Sequence, residues 1–119
     1  MVIKIIHNLK EKCKMIKEII SKEEFDEEVF NTDKLVVVDF WASWCVPCKQ
    51  MLKVIDKIES EFEDVNFLEV KVDDNKILAR NFKIMSVPAI LVFKNGEMVE
   101  YTTGFKSESM LVELIKKSL

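Results

Sequence analysis

Hydrophobic and polar positions in this chain alternate between two spacings. Leu35-Val36-Val37-Val38-Asp39-Phe40 is an apolar run holding one carboxylate, short and rich in β-branched residues. Such a run reads as a strand buried on both faces. Just downstream, Met51, Leu52, Ile55, Ile58 and Phe62 recur at helical spacing, with Lys53, Asp56, Lys57 and Glu59 between them. Upstream, Met15 to Ile20 reads as a short strand, and Ser21 with Glu24 forms a capping box before a helix from Lys22 to Phe30. Asn66 to Val72 alternates like a strand. Asp73 or Asp74 is expected to cap a helix from Asn75 to Asn81 that turns Ile77, Leu78 and Phe82 inward. Pro88 opens a strand from Ala89 to Phe93, and Asn95-Gly96 signals a two-residue hairpin into Met98 to Thr103. Gly104 ends that strand. Ser107 caps a last helix with Met110, Leu111, Leu114 and Ile115 facing the core.

Three strand–helix pairs followed by a hairpin and a helix place the chain in the α/β class. The alternating part predicts parallel strands joined by right-handed crossovers, and the hairpin adds antiparallel strands at one side. At 119 residues there is room for one core and not two. Two glycines and two prolines leave no flexible linker. Residues 1–14 read as a short N-terminal extension to a domain spanning 15–119. Ile6, Leu9, Cys13 and Ile16 fall near one helical face, so the extension reads as a short helix resting on the domain. It is basic, through Lys4, Lys10, Lys12 and Lys14, whereas the rest is acidic. A solvated terminus is the simpler reading, a docking arm for an acidic partner the alternative.

Charge and cysteine usage narrow the function. A net charge of −3, with no basic stripe, argues against nucleic acid as partner. Three cysteines do not suit a disulfide-stapled secreted module. The apolar runs of the N-terminus are too short for a signal-peptide core, and no stretch approaches a membrane span. A cytoplasmic chain is expected, where a CxxC pair is more often catalytic than structural.

Cys45-Val46-Pro47-Cys48 lies where the buried strand ends and the amphipathic helix begins. Unpaired N–H groups and the helix dipole favour a thiolate there. Cys45, first at the helix start, reads as the nucleophile, and Cys48, one turn inside, as the resolving thiol. A zinc site would need two further ligands, and only Cys13 and His7 could supply them, so no metal is expected. Asp39, six residues before Cys45 within an apolar strand, is a buried carboxyl able to exchange a proton with the inner thiol.

The stretch Val38-Asp39-Phe40-Trp41-Ala42-Ser43-Trp44-Cys45-Val46-Pro47-Cys48-Lys49 closely resembles the active-site segment of thioredoxins. The resemblance continues through Lys71-Val72-Asp73, Ser86-Val87-Pro88-Ala89 and Phe93-Lys94-Asn95-Gly96-Glu97 to Gly104, in the family's order and spacing. It implies a thioredoxin fold, a central mixed sheet flanked by helices on both faces. It also implies disulfide reduction in client proteins, re-reduction by a thioredoxin reductase, and no cofactor. A monomer is expected. Asp39 matches the family's proton-accepting acid, and Lys71 is aligned with the lysine that partners it. Pro88 matches the cis-proline facing the cysteines. Val87 and Ala89 flank it, where backbone could pair with substrate. Trp44 matches a residue of the contact surface, Trp41 one more suited to packing, and Gly104 a glycine that lets the partner approach closely. Pro47 suits the first helical turn.

Three residues depart from the family pattern. Val46 stands where glycine is usual, Lys53 where many members carry a kinking proline, and Ala89 where threonine is common. A Val-Pro pair between the cysteines also occurs in exported relatives that mature cytochromes or the envelope. A non-catalytic binding subunit on the same fold is the other rival. Retention of both cysteines, Asp39 and Pro88 favours the reductase.

Overall fold

The computed structural model describes residues 16–119, so the expected extension lies outside the described residues. Strands β1 (Ile16–Ile19), β2 (Leu35–Trp41), β3 (Val65–Lys71), β4 (Ala89–Lys94) and β5 (Glu97–Thr103) form one sheet in the order β1-β3-β2-β4-β5. The β1, β3 and β2 strands run parallel, while β4 and β5 pair antiparallel to their neighbours. Between them lie helices α1 (Lys22–Phe30), α2 (Val46–Ile58), α3 (Lys76–Asn81) and α4 (Glu108–Ser118). The α2 helix tightens into a 3-10 turn at Glu59–Glu61, which buries Glu59 rather than leaving it on the polar face.

As its continuous apolar run requires, β2 is central and buried on both sides. Val36, Val38 and Phe40 face α1 and α3, packing with Phe25, Val29 and Leu78. Leu35 and Val37 face α2 and α4, packing with Met51, Ile55, Ile58, Leu111 and Ile115. Helices therefore cover both faces of a mixed sheet, the arrangement expected from sequence.

Cap chemistry departs from expectation at two points. Ser21 Oγ accepts the Glu24 N–H at 3.1 Å, but the Glu24 carboxylate reaches back to the Ile20 N–H at 3.1 Å, one residue beyond the usual capping-box partner. At α3 the N-cap is Asn75, and neither aspartate caps it. The Asn75 amide instead donates to the carbonyls of Lys71 and Ile19, at 3.0 and 3.3 Å, tying β3 to β1. Two expected core residues are exposed, Ile77 and Met110. In each helix the adjacent residue, Leu78 or Leu111, is the one buried. One step along a helix is about 100° of rotation, so both cannot share a narrow inward stripe. The hairpin follows its turn signal: Asn95 and Gly96 have φ of 52° and 79°, the left-handed pair a type I′ turn needs.

Candidate functional site

The β2 strand ends at Trp41 and α2 begins at Val46, so a four-residue turn delivers the cysteines to the helix start. Cys45 is the N-cap, and its Sγ accepts the Cys48 N–H at 3.2 Å. That N–H is one of the donors a helix start leaves unpaired. Pro47, second in the helix, lacks an N–H where none is needed. Cys45 and Cys48 are joined as a disulfide with Cα atoms 5.3 Å apart. Cys48 is fully buried and Cys45 is 5% exposed, so an incoming group can reach only the first sulfur directly.

Two other segments meet the pair. The Val87–Pro88 peptide is cis, and the Val87 carbonyl oxygen lies 3.7 Å from Cys45 Sγ. Gly104, at φ +86°, donates its N–H to the Pro88 carbonyl at 2.8 Å. A Cβ at Gly104 would have room, with its nearest neighbour, Lys106 Nζ, at 3.8 Å, so what requires glycine is the backbone angle. Around this junction Trp44 is 74% exposed and Val46 64% exposed. Pro47 is exposed, Val87 half-buried and Pro88 buried.

On the sheet face that α2 covers lies Asp39, fully buried, with neither carboxylate oxygen hydrogen-bonded. Burial first, and then the neighbouring Glu69, push its carboxyl well above the usual range. Lys71 does not meet it. Register sets Glu69 beside Asp39 and Lys71 beside Trp41. The Lys71 ammonium lies 3.6 Å from Asp74 Oδ2 and 5.7 Å from the centre of the Trp41 ring. Sequence reading also missed a tie across the turn: the Ser43 hydroxyl donates to Asp73 Oδ2 at 2.6 Å. That bond holds the Asp73 carboxyl below its ordinary range. Met85 and Phe105, close in sequence to Val87 and Gly104, are exposed apolar residues that pattern alone did not single out. Among the described residues no group of three or more His, Cys, Asp or Glu side chains could hold a metal ion. Nor is any described helix long and apolar enough to cross a membrane.

The family model described as thioredoxin matches residues 12–117. Curated relatives named thioredoxin include one from Mycoplasma genitalium, 40% identical over 84% of this chain and 97% of its own. Another, from Rickettsia prowazekii, is 38% identical over 84% of this chain and 96% of its own. Among solved structures, Malassezia sympodialis thioredoxin superposes with a TM-score of 0.77 at 35% identity, covering 86% of this chain and 89% of that one. A mutant thioredoxin from Halobacterium salinarum gives a TM-score of 0.79 at 29% identity, covering 86% and 88%.

The chain belongs to the thioredoxin family. It is a thiol–disulfide oxidoreductase with Cys45 and Cys48 as its redox pair. Within that family frame the site has a layered form. Exposed Trp44 and Val46 flank Cys45, Cys48 is sealed, and an unpartnered carboxyl lies on the sheet face that α2 covers.

Proposed function

We propose that the protein reduces disulfides of client proteins in two steps, with Cys45 attacking and Cys48 resolving. The Cys45 thiolate, held by the Cys48 N–H, attacks a client sulfur. One client thiolate leaves and takes a proton from solvent. Asp39, as carboxylate, then removes the Cys48 proton while that sulfur attacks Cys45 Sγ, and the second client thiolate departs and takes a proton from solvent. Protein dithiol and client disulfide become protein disulfide and client dithiol. Trp44, Val46 and Pro47 form one side of the docking rim, and Val87, Pro88 and Gly104 the other. Lys71 acts on this rim by packing over Trp41 and not through Asp39. Family membership supports a thioredoxin reductase as electron donor, with the protein acting as a monomer in the cytoplasm.

The observation carrying this reading is the Cys45 sulfur, capping the helix and lying beside the Val87 carbonyl. Cys48→Ser should trap clients as mixed disulfides, Cys45→Ser almost none. Equal trapping by the two variants would dissolve the assignment. Insulin reduction with dithiothreitol, and then with a reductase and its electron donor, tests the activity itself. A protein no faster than dithiothreitol alone would leave the binding-subunit reading.

A further inference from the structure

The face of the sheet under α2 changes character along the strands. Ile16, Phe67 and Val37 are in register across β1, β3 and β2, and two residues on the same row reads Glu18, Glu69, Asp39. Three carboxylates thus stand side by side at the strand spacing of about 4.8 Å. Exposure is graded along them: Glu18 is exposed, Glu69 half-buried and Asp39 sealed. Like charges in register oppose folding, so such a row needs a reason.

The lysines of β1 and β3 are engaged by other carboxylates. Lys17, on β1, pairs with Glu24 and Glu28 at 4.0 and 3.6 Å. Lys71, on β3, is held by Asp74. On the other side of Asp39 the registered residue is Ile90. From α2, Asp56 acts on Glu69 as a further like charge. The acidic neighbour in register with Asp39 is therefore Glu69, and beyond it the row opens to water.

We propose that Glu69 is a positioning residue of the dithiol reaction, the group that takes the proton of Asp39 and hands it to the exposed edge of the sheet. This rests on Asp39 being the base for Cys48. A carboxyl raised by burial is better matched to a thiol, but it holds its proton and must be discharged before each resolution step. Asp39 gives that proton to the Glu69 carboxylate, which reaches it by rotating about its own side-chain bonds and releases it to water past Glu18. Asp39, now ionised, takes the Cys48 proton as the Cys48–Cys45 bond forms and the Cys45–client bond breaks. When the disulfide is re-reduced the proton moves the opposite way. Glu69 is itself raised, by burial first and then by Glu18 and Asp56, which narrows the gap between donor and acceptor.

The test follows the Asp39 carboxyl by carbon-13 NMR across pH, together with the single-turnover rate of mixed-disulfide resolution. In Glu69→Gln a neighbouring negative charge is gone, so the Asp39 midpoint should fall by about one pH unit. Resolution should nonetheless slow about tenfold or more, because the exit is lost. Glu69→Asp should recover most of the rate. A structural role alone would change unfolding and leave both readouts in place. Asp39→Asn, made in parallel, separates the two readings. Slow resolution in Asp39→Asn with a wild-type midpoint and rate in Glu69→Gln overturns the Glu69 path alone. Wild-type resolution in Asp39→Asn overturns the base assignment and the path with it.

Discussion

On the sheet face covered by α1 and α3, the buried strand side chains are all apolar: Ile19, Val36, Val38, Phe40, Leu68, Val70, Leu91 and Phe93. On the face covered by α2 and α4, β2 and β3 start apolar, with Leu35, Val37, Val65 and Phe67, and then carry the carboxylates of Asp39 and Glu69 before Trp41 and Lys71. Alternation along a strand lets one backbone serve both faces independently. The apolar cluster of the first face does not titrate, and its contribution to stability is independent of pH. The second holds a sealed acid, Asp39, which lowers stability and, in the proposed function, takes the Cys48 proton. In that proposal, stability and chemistry are divided between alternate residues of β2.

Cutting into the apolar face should give the largest effect. Phe25 is fully buried, with its ring centre 5.3 Å from that of Phe82 and 6.0 Å from that of Phe93. Phe25→Ala should cost about 3–5 kcal/mol by denaturant unfolding. The loss should be the same at every pH, and the folded fraction should keep its disulfide-reductase rate. A change in rate per folded molecule would mean that the two faces are coupled.

Asp39→Asn should do the reverse. The folded carboxyl lies above its unfolded value, so between the two the native state keeps a proton that the unfolded chain has released. Wild-type stability should therefore fall as pH rises from the ordinary aspartate range up to the folded midpoint, and remain low above it. An asparagine side chain carries no charge at any pH, so the variant's profile should lose the Asp39 part of that slope, and its stability at neutral to alkaline pH should be about 1–3 kcal/mol higher. Resolution of mixed disulfides should slow by roughly 10²-fold or more. Urea unfolding across pH checks the first part; wild-type stability that climbs over the same range would contradict it.

The elements were legible because their periods are strong, and the turn bearing Cys45 and Cys48 because a buried strand and an amphipathic helix bracket it. Which residue stands beside Asp39 was not. Glu69 and Lys71 lie two apart on one strand and on the same face, and sequence offers no measure of the register between β2 and β3. Choosing Lys71 followed the resemblance to the family's lysine, whereas the parallel ladder pairs Asp39 with Glu69 and Lys71 with Trp41. The same limit explains Ile77 and Met110, since a short helix can be rotated by one residue without changing its pattern. Asp73 was misplaced for a different reason. Its partner, Ser43, comes from a turn 30 residues away.

A smaller effect is expected where the docking rim meets the sheet. Gly104 holds φ +86° while its N–H is bonded to the Pro88 carbonyl. Gly104→Ala forces a side chain into the left-handed region at about 1–2 kcal/mol. Relief by backbone rotation would withdraw that N–H from the loop carrying Pro88. Client reduction should then slow more than small-disulfide reduction, because only clients need the whole rim. Equal slowing of both would place the damage at the sulfurs instead.

The smallest shift is expected from Val46, which belongs to neither face. It is the first residue of α2, largely exposed, and directly follows the capping cysteine. A redox potential reports the relative stability of dithiol and disulfide, so a neighbour changes it only by treating thiolate and disulfide differently. Val46 carries no charge and no polar hydrogen, and the Cys48 N–H that holds the Cys45 sulfur is a backbone group unaffected by it. Its influence is steric, through a stiff β-branched side chain on the rim. Val46→Gly should therefore move the potential by less than ~30 mV, or about 1.4 kcal/mol for a two-electron couple. Reduction rates should spread more than the potential when several client disulfides are compared, because the side chain lies on the proposed docking rim. Redox equilibration against a reference dithiol gives the first number and parallel client assays give the second. A shift beyond ~60 mV with unchanged client rates would place Val46 with the buried acid, as a group that tunes the sulfur chemistry rather than the surface around it.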